Sequence, residues 1–274
     1  MARAAPRERQ VLAQRIASAA VGVPLVLGLI FIGGIPYVAV VAVALAVASV
    51  EFNRAHRGRI DAPGVLAALL VAGIAAGAHV NRAFWSAWMA GALLLAALAA
   101  LVAPRDDDAD AATDAVWLAA SVAYVGFLGS FFVLLRDIDD GRSWTYLAVL
   151  ATFATDTGAF FVGRAIGRRP LAPRISPKKT IEGFVGGLAA GYAAVVVLHL
   201  AFDLDGNAAA VAVLALLLPL AATLGDLVES GMKRAMRIKD ASHLIPGHGG
   251  VLDRLDSILF TATLTYLFVE FVIR

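Results

Sequence analysis

Residues 207–225 read NAAAVAVLALLLPLAATLG, an apolar run without a charged side chain that ends at Asp226. A helix needs roughly 20 apolar residues to cross the hydrocarbon core of a membrane. This run therefore predicts a membrane-spanning helix, and working outward from it gives further candidates on both sides. The predicted spans are 16–32, 36–52, 64–80, 85–103, 115–135, 145–163, 183–202, 207–225 and 254–273. We therefore predict an all-α polytopic membrane protein with about nine transmembrane helices.

The composition agrees with this fold class. The chain has 274 residues, of which 60% are hydrophobic and 16% are charged, and its mean hydropathy is +0.80. Soluble domains are roughly half apolar and a quarter charged. The chain has no cysteine, which excludes disulfides, thiolate metal ligands and cysteine nucleophiles. Nothing in the composition points to a nucleic acid as partner.

The basic residues predict the orientation in the membrane. With the N-terminus in the cytoplasm, 19 of the 23 Lys and Arg residues fall on the cytoplasmic side. This agrees with the excess of Lys and Arg that cytoplasmic loops carry, and it favours an odd number of spans. The basic residues before the first run could also be the head of a signal peptide, but apolar segments keep following, so a first membrane helix is the better interpretation.

We predict one integral-membrane domain over residues 1–274, with an N-terminal bundle at 1–135 and a catalytic part at 145–274. The two longest polar stretches, 164–182 and 226–254, are both predicted to be cytoplasmic loops of the catalytic part. Any chemistry is expected there. Glu51 and Glu270 lie at the ends of spans, where an ordinary interfacial role is sufficient.

Three carboxylates flank the second of these loops. Asp226 ends one span, and Asp253 and Asp256 begin the next on one face of a helix, since they are three residues apart. The loop returns the chain to the same membrane surface, so the three side chains can converge. Mg²⁺ prefers carboxylate oxygens together with substrate phosphates. The alternative is that the three carboxylates pair with Lys233, Arg234 or Arg254.

The same loop is rich in groups that suit phosphates. Lys233, Arg234 and Lys239 crowd its first part, and a basic run at a membrane can also serve only as a contact with anionic lipids. The segment 246–250, Pro-Gly-His-Gly-Gly, opens the next helix, where backbone N–H groups favour anions. His248 is a candidate base or phosphate donor, or alternatively a structural hydrogen-bonding residue.

The loop resembles the signature of the phosphatidate cytidylyltransferases, the CDP-diacylglycerol synthases. The residues that carry the resemblance are Ser230, Lys233, Arg234, Lys239, Asp240, Ser242, Pro246, His248, Gly249, Gly250, Asp253, Arg254 and Asp256. The pattern is long and mixed in chemistry, and therefore specific, although it covers only about a tenth of the chain. The layout of spans around it is also similar to the family.

Two further elements look like family motifs. The segment 176–183 reads SPKKTIEG, in which two lysines offer charges for phosphates and two hydroxyls offer hydrogen bonds. Asp156 lies within an apolar span, where an ionisable group is costly and by default faces a bundle interior or a watery cavity. The alternative for the segment 176–183 is an ordinary basic loop. The alternative for Asp156 is a hydrogen bond between helices.

The resemblance implies that CTP and phosphatidic acid give CDP-diacylglycerol and pyrophosphate in an inner membrane of bacterial type, with the active site facing the cytoplasm. It implies one or two Mg²⁺ ions on Asp226, Asp253 and Asp256, with Mn²⁺ as a substitute. The residues expected in catalysis are Asp226, Lys233, Arg234, His248, Asp253 and Asp256. Those expected to bind substrate are Asp156, Ser176, Lys178, Lys179, Thr180, Glu182, Ser230, Lys239, Asp240, Gly249, Gly250 and Arg254.

Other functions remain open at the level of the sequence. A CTP-dependent lipid kinase, of the polyprenol or phytol type, would use similar metal and lysine groups and transfer the γ-phosphate instead. An anion transporter is less favoured because the sequence has no repeated halves. A structural scaffold would leave Asp156 and the signature unexplained. Spans rich in Gly and Ala allow close helix pairing, which is compatible with a homodimer.

Overall fold

A computed structural model of the chain describes residues 20–102, 111–242, 244 and 249–274, without the side chains of 83 and 84. The helices are α1 (Ala20–Ile32), α2 (Gly34–Arg57), α3 (Ala62–Val80), α4 (Arg82–Val102), α5 (Ala111–Ser121), α6 (Leu128–Arg136), α7 (Gly141–Ile166), α8 (Ile181–Ala201), α9 (Ala208–Ala235) and α10 (Leu252–Phe268). A π-helical segment, Val122–Phe127, joins α5 to α6, and a second one, Val269–Ile273, extends α10.

Eight helical stretches in the described part of the chain are long and apolar enough to cross a membrane. They correspond to the second to ninth predicted spans, with α5, the π-helical segment and α6 together forming one of them. The first predicted span corresponds to α1, which is shorter; residues 16–19 lie outside the described residues. The polytopic all-α fold predicted from the sequence is confirmed.

Several helices extend beyond the apolar runs that predict them. The largest difference is at α9, which continues past Asp226 to Ala235. The predicted loop 226–254 is therefore helical over its first third, and the prediction of a loop there is wrong. Charged side chains end an apolar run without ending the helix. No proline stands between 226 and 235, and a single glycine such as Gly231 costs a helix only about 1 kcal/mol.

Polar caps begin three of the helices. Asp61 accepts a hydrogen bond from the Gly64 N–H at α3, Thr180 from the Gly183 N–H at α8, and Asn207 from the Ala210 N–H at α9. Each cap satisfies a backbone donor that has no partner within its helix. These residues fix where the chain re-enters the bundle.

A stripe of small residues brings α7, α8 and α9 close together. Gly183, Gly187, Gly191 and Val195 are the buried positions of α8, spaced four residues apart. A Cβ atom at Gly187 would lie 3.0 Å from the Thr155 carbonyl oxygen of α7, and one at Gly191 would lie 2.8 Å from Cβ of Pro219 in α9. Small residues at these positions let the helix backbones approach, as is common between membrane helices.

The connection between α7 and α8 contains the two β-strands of the part of the chain that the structure describes. Strands β1 (Pro170–Ala172) and β2 (Ser176–Thr180) form an antiparallel hairpin within the predicted loop 164–182. Nε of Arg234, near the end of α9, donates a hydrogen bond to the Ile175 carbonyl oxygen at 3.2 Å. The hairpin therefore lies against the end of α9, and we call this end of the bundle the hairpin end.

Polar contacts also tie the opposite end together. Nδ1 of His79 lies 2.6 Å from Oδ2 of Asp137, which links the end of α3 to the end of α6. Nε of Arg136 donates a hydrogen bond to the Ile30 carbonyl oxygen at 2.8 Å. These contacts hold α1, α3 and α6 in place away from the hairpin end.

Candidate active site

Asp253 links α9 to α10 at the hairpin end. Its Oδ1 accepts a hydrogen bond from Nζ of Lys233 at 2.8 Å, and its Oδ2 accepts one from the Gly250 N–H at 2.8 Å. The Ala241 N–H also points at this carboxylate, 3.2 Å from Oδ2. Both oxygens of Asp253 therefore already have hydrogen-bond donors, as in the lysine-paired alternative that the sequence left open.

Glu229 shares Lys233 with Asp253. Its Oε2 lies 2.5 Å from Nζ of Lys233, and its side chain is 1% exposed. Two buried carboxylates thus hold one ammonium group between α9 and α10. Sequence reasoning missed Glu229, although its spacing of four residues from Lys233 is the spacing at which ion pairs form on a helix. That spacing carries information only because the helix continues past Asp226.

Glu51 of α2 is a second residue that sequence reasoning missed. It is buried, with 5% of its surface exposed. Its Oε1 accepts hydrogen bonds from Oγ of Ser242 at 2.5 Å and from the Val251 N–H at 3.1 Å, and its Oε2 accepts one from the Leu252 N–H at 2.8 Å. The expected interfacial role for Glu51 is therefore wrong: tertiary contacts place it against the segment that begins α10.

The glycines of the signature lie against these carboxylates. Gly249 has a φ of +86°, and a Cβ atom there would lie 2.7 Å from Oδ2 of Asp253. A Cβ atom at Gly250 would lie 2.7 Å from Oε2 of Glu51. The Gly250 N–H is bonded to Asp253, so the contact with a phosphate that the sequence predicts for it would require this bond to open. His248 and Pro246 lie outside the described residues.

A second group of carboxylates lies beside the Lys233 cluster. Asp226 on α9 pairs with Nζ of Lys179 on β2 at 2.5 Å and accepts a hydrogen bond from Oγ of Ser230 at 3.3 Å. Asp156 on α7 and Asp256 on α10 lie within electrostatic range of Asp226 and of each other. The three side chains therefore come from three different helices that meet at this end of the bundle.

Asp156 lies within α7 and is exposed. Charged residues of α9 and α10 are close enough to act on it electrostatically. The prediction that it faces a bundle interior or a watery cavity stays a prediction. Thr155 beside it is buried and donates a hydrogen bond to the Ala151 carbonyl oxygen at 2.8 Å. Thr155 therefore satisfies its hydrogen bond within its own helix.

The carboxylates meet the requirements of Mg²⁺ in their chemistry. No group of three His, Asp or Glu side chains stands in ligand geometry among the residues that the structure describes. Asp156, Asp226 and Asp256 nevertheless gather three carboxylates, and Lys179 is the one cation in ion-pair contact with them within the described ranges. Mg²⁺ prefers carboxylate oxygens, so the type of donor fits this ion, although the described residues do not form a ligand geometry. Two members of the predicted metal set are already paired with lysines: Asp253 with Lys233 and Asp226 with Lys179.

The residues of the hairpin motif divide into two groups. Thr180 caps α8, and Oε2 of Glu182 accepts hydrogen bonds from the N–H groups of Arg168 and Arg169 at 3.0 and 3.2 Å. These two residues shape the connection between α7 and α8. Lys179 reaches Asp226, Ser176 is half-buried on β2, and Lys178 is exposed. The motif therefore delivers one lysine to the carboxylates and leaves another accessible to a substrate.

The remaining signature residues surround the two clusters. Arg234, Lys239, Asp240 and Arg254 are exposed at the hairpin end. Arg234 also donates to the Ile238 carbonyl oxygen at 3.2 Å, so it stabilises the chain where α9 ends. The site is therefore a buried ion-paired centre with exposed cationic groups around it, an arrangement suited to a polyanionic substrate.

A comparison with protein families shows to which family this chain belongs. The model of a family described as "Cytidylyltransferase family" matches residues 13–272, which is nearly the whole chain. The chain belongs to the cytidylyltransferase family.

The chain is also similar to individual proteins of the same name. A protein of Staphylococcus haemolyticus (strain JCSC1435), named phosphatidate cytidylyltransferase, is 42% identical over 151 residues, which are 55% of this chain and 57% of the relative. A protein of Bacillus subtilis (strain 168) with the same name is 37% identical over 151 residues, 55% of this chain and 56% of the relative. These matches span a little more than half the length of the relatives. The family predicted from the signature is confirmed.

Proposed function

We propose that this protein joins the cytidine nucleotide of CTP to phosphatidic acid, giving CDP-diacylglycerol and pyrophosphate. The observation that carries the proposal is the pairing of Lys179 with Asp226 and of Lys233 with Asp253 at one end of a membrane bundle. These pairs bring the two family motifs, which are far apart in the sequence, to one place. The names of the relatives support the choice of substrates.

The proposed reaction is a displacement at phosphorus. A phosphate oxygen of phosphatidic acid forms a bond to the α-phosphorus of CTP, and the bond from that phosphorus to the pyrophosphate oxygen breaks. The attacking oxygen is already anionic, so the reaction needs no strong base. Its main difficulty is the approach of two polyanions, which electrostatic stabilisation can overcome.

The lysines are the protein's own contribution to this charge balance. Lys179 and Lys233 are held by carboxylates, and a substrate phosphate would compete with those carboxylates for the ammonium groups. Lys178 and Arg254 are exposed and would meet the phosphates from the solvent side. Asp226 and Asp256, with Asp156, would hold Mg²⁺, and the chemistry that a bound Mg²⁺ supplies is neutralisation of phosphate charge.

The proposed location is a cytoplasmic membrane of bacterial type, with the hairpin end facing the cytoplasm. The support for this orientation is the excess of Lys and Arg in the predicted cytoplasmic segments. The nucleotide would arrive from the water and the lipid from the bilayer, so both substrates would meet at the hairpin end.

The test is the fate of label from CTP. The purified protein in detergent is incubated with phosphatidic acid, Mg²⁺ and CTP labelled in either the α- or the γ-phosphate. The proposal expects α-label in the lipid and γ-label in pyrophosphate. Transfer of γ-label to a polyprenol or another lipid alcohol, supplied in parallel, would instead identify a lipid kinase. Absence of transfer to any lipid by the folded protein would contradict both activities.

A further inference from the structure

Glu51 belongs to α2, far in sequence from either family motif, and still contacts the segment that carries the signature. Its carboxylate accepts hydrogen bonds from Ser242, Val251 and Leu252. A carboxylate offers only acceptors, and here both oxygens are used. Two of the bonds come from consecutive backbone N–H groups at the start of α10, where a negative charge is also favoured by the helix dipole.

Glu51 and Asp253 together complete the beginning of α10. Asp253 accepts the Gly250 N–H, and Glu51 accepts the N–H groups of Val251 and Leu252. Three successive backbone donors are therefore satisfied by two carboxylates from different helices. Since Asp253 also holds Lys233, the position of this lysine depends on the path of residues 249–252.

The glycine at 250 has its explanation in the same contact. A side chain there would meet Oε2 of Glu51 at 2.7 Å and the rest of the carboxylate at 3.0 Å. Because residue 250 lacks a Cβ atom, Glu51 can approach the backbone closely enough to bond to Val251 and Leu252. The signature glycine and the glutamate of α2 are therefore two halves of one contact.

We propose that Glu51 is a positioning residue of the active site. It holds residues 249–252 so that Asp253 presents Lys233 to the substrate phosphates, and it couples α2 to the catalytic helices α9 and α10. This inference rests on the proposed function for its catalytic part, while the positioning itself is independent of the substrate.

The test is Glu51→Gln. The amide has one acceptor oxygen and must turn its NH₂ group toward at least one backbone donor, so the segment should shift. Misplacement of catalytic groups by about 1 Å can lower activity about a hundredfold, so we expect kcat to fall about tenfold to a hundredfold at a melting temperature within a few degrees of wild type. Glu270→Gln, at the other end of the bundle, is the matched control and should keep the wild-type kcat.

Hydrogen exchange makes the outcome independent of catalysis. Peptides covering residues 249–256 should exchange faster in Glu51→Gln than in wild type, with no substrate present. Should Glu51→Gln fold poorly, Ser242→Ala removes one of the three bonds and should give a smaller change in the same direction. Unchanged exchange in Glu51→Gln would overturn the inference. An unchanged kcat in Glu51→Gln would also overturn it, provided that the wild type transfers nucleotide. Faster exchange in a protein without transferase activity would reject only the proposed function.

A second inference rests on Tyr124, in the π-helical segment between α5 and α6. The residue is 8% exposed, and its hydroxyl has no hydrogen-bond partner among the described residues. The ring lies between Phe52 of α2 and Phe260 of α10, with centroid distances of 6.4 and 6.3 Å. π-helical turns are rare and often occur at functional sites. A buried hydroxyl without a partner is costly, so its position needs an explanation.

The neighbours of Tyr124 suggest that explanation. Phe52, which packs against the Tyr124 ring, lines a small pocket together with Glu229 and Lys233. The carboxylates of Asp226, Glu229 and Asp256 are close enough to act on the hydroxyl electrostatically. We propose that it donates a hydrogen bond to a substrate phosphate oxygen, which would supply its missing partner. This inference also rests on the proposed function.

Tyr124→Phe removes only the hydroxyl. Because the hydroxyl is buried without a partner, its loss should leave the melting temperature unchanged or higher, while kcat/KM should fall about tenfold. Tyr37→Phe is the matched control, since the Tyr37 hydroxyl donates to the Phe132 carbonyl oxygen at 3.2 Å near the opposite end of the bundle. This control should lose stability and keep its activity.

A lower melting temperature with full activity in Tyr124→Phe would overturn the inference and indicate a structural hydrogen bond. If the wild type transfers no nucleotide, the proposed function itself is rejected.

Discussion

At the scale of single residues, the candidate site is a set of buried charges that depend on one another. Lys233 lies between Glu229 and Asp253, whose side chains are 1% and 6% exposed. Breaking a buried ion pair by removing one partner leaves an uncompensated charge, which is more costly than replacing the whole pair. The roles of these residues can therefore be separated by choosing which charge is removed.

Lys233→Met should lower the free energy of unfolding by about 3–5 kcal/mol, because it leaves two buried carboxylates without their cation. The measurement is the melting temperature in detergent. The double variant Lys233→Met with Glu229→Gln removes one of the two stranded charges and should recover part of the loss. A single variant as stable as wild type would show that the carboxylates are not charged in the folded protein.

Asp253→Asn should abolish nucleotide transfer while the bundle stays folded. The amide can still accept one hydrogen bond, but it no longer pairs with Lys233 as a charge. Activity is measured by α-label transfer from CTP and folding by gel filtration. The matched control is Asp139→Asn, since the Asp139 side chain is 97% exposed and pairs with Arg274, at the end of the chain. Full activity in Asp253→Asn would exclude Asp253 from catalysis.

At the scale of helices, the spacing of small residues decides how the catalytic half packs. The α8 stripe meets α7 through Thr155 and Ala159 and meets α9 through Pro219. Asp156 and Asp226 lie on these same neighbours, so the separation between the helices also sets the separation between the carboxylates. Composition alone indicated that close pairing was available, but it did not say which helices would use it.

Gly191→Ala should destabilise the protein by about 1–3 kcal/mol, the usual effect of overpacking a core. The new methyl group would meet the Pro219 ring, whose atoms lie 2.8 and 2.9 Å from its position and cannot rotate away. Gly73→Ala in α3 is the matched control, because no described atom lies within 4 Å of the added methyl group. That control should be neutral or stabilising, since alanine favours helices. Equal melting temperatures for both variants would contradict the packing described for α8.

At the scale of the whole molecule, the polar contacts of the two ends differ in burial: the Lys233 pairs are buried, whereas the pair of Asp139 with Arg274 is exposed. The hairpin end holds the ion-paired clusters and the exposed cations, while the opposite end is tied by contacts such as His79 with Asp137. The division into an N-terminal bundle and a catalytic part stays a prediction. Glu51 joins the two parts through contacts with Val251 and Leu252, which lie about 200 residues further along the chain.

The orientation can be tested with single cysteines, because the chain has none of its own. Arg174→Cys lies in the exposed turn of the hairpin, and Asp139→Cys lies at the opposite end. A membrane-impermeant maleimide should label only Asp139→Cys in intact spheroplasts and both variants after permeabilisation. The reverse pattern would invert the proposed orientation.

The membrane fold, its spans and the family could be predicted from the sequence because each depends on local features. A long apolar run has to be helical in lipid to satisfy its backbone, so every span is a property of its own segment. The signature is likewise local, because its residues lie within one stretch of chain. For this reason Lys233 and Asp253 could be named as candidate site residues from the sequence alone.

Which charges pair, and which distant residues join them, depended on the tertiary structure. The sequence predicted the end of α9 too early. An apolar run indicates which residues contact lipid, whereas the helix continues for as long as its backbone hydrogen bonds do. Glu51 and Glu229 were missed for a related reason. A glutamate at the end of a span looks the same in sequence whether it faces water or the buried start of another helix. The difference lies in contacts between distant parts of the chain, such as Glu51 with Leu252, and only folding creates those contacts.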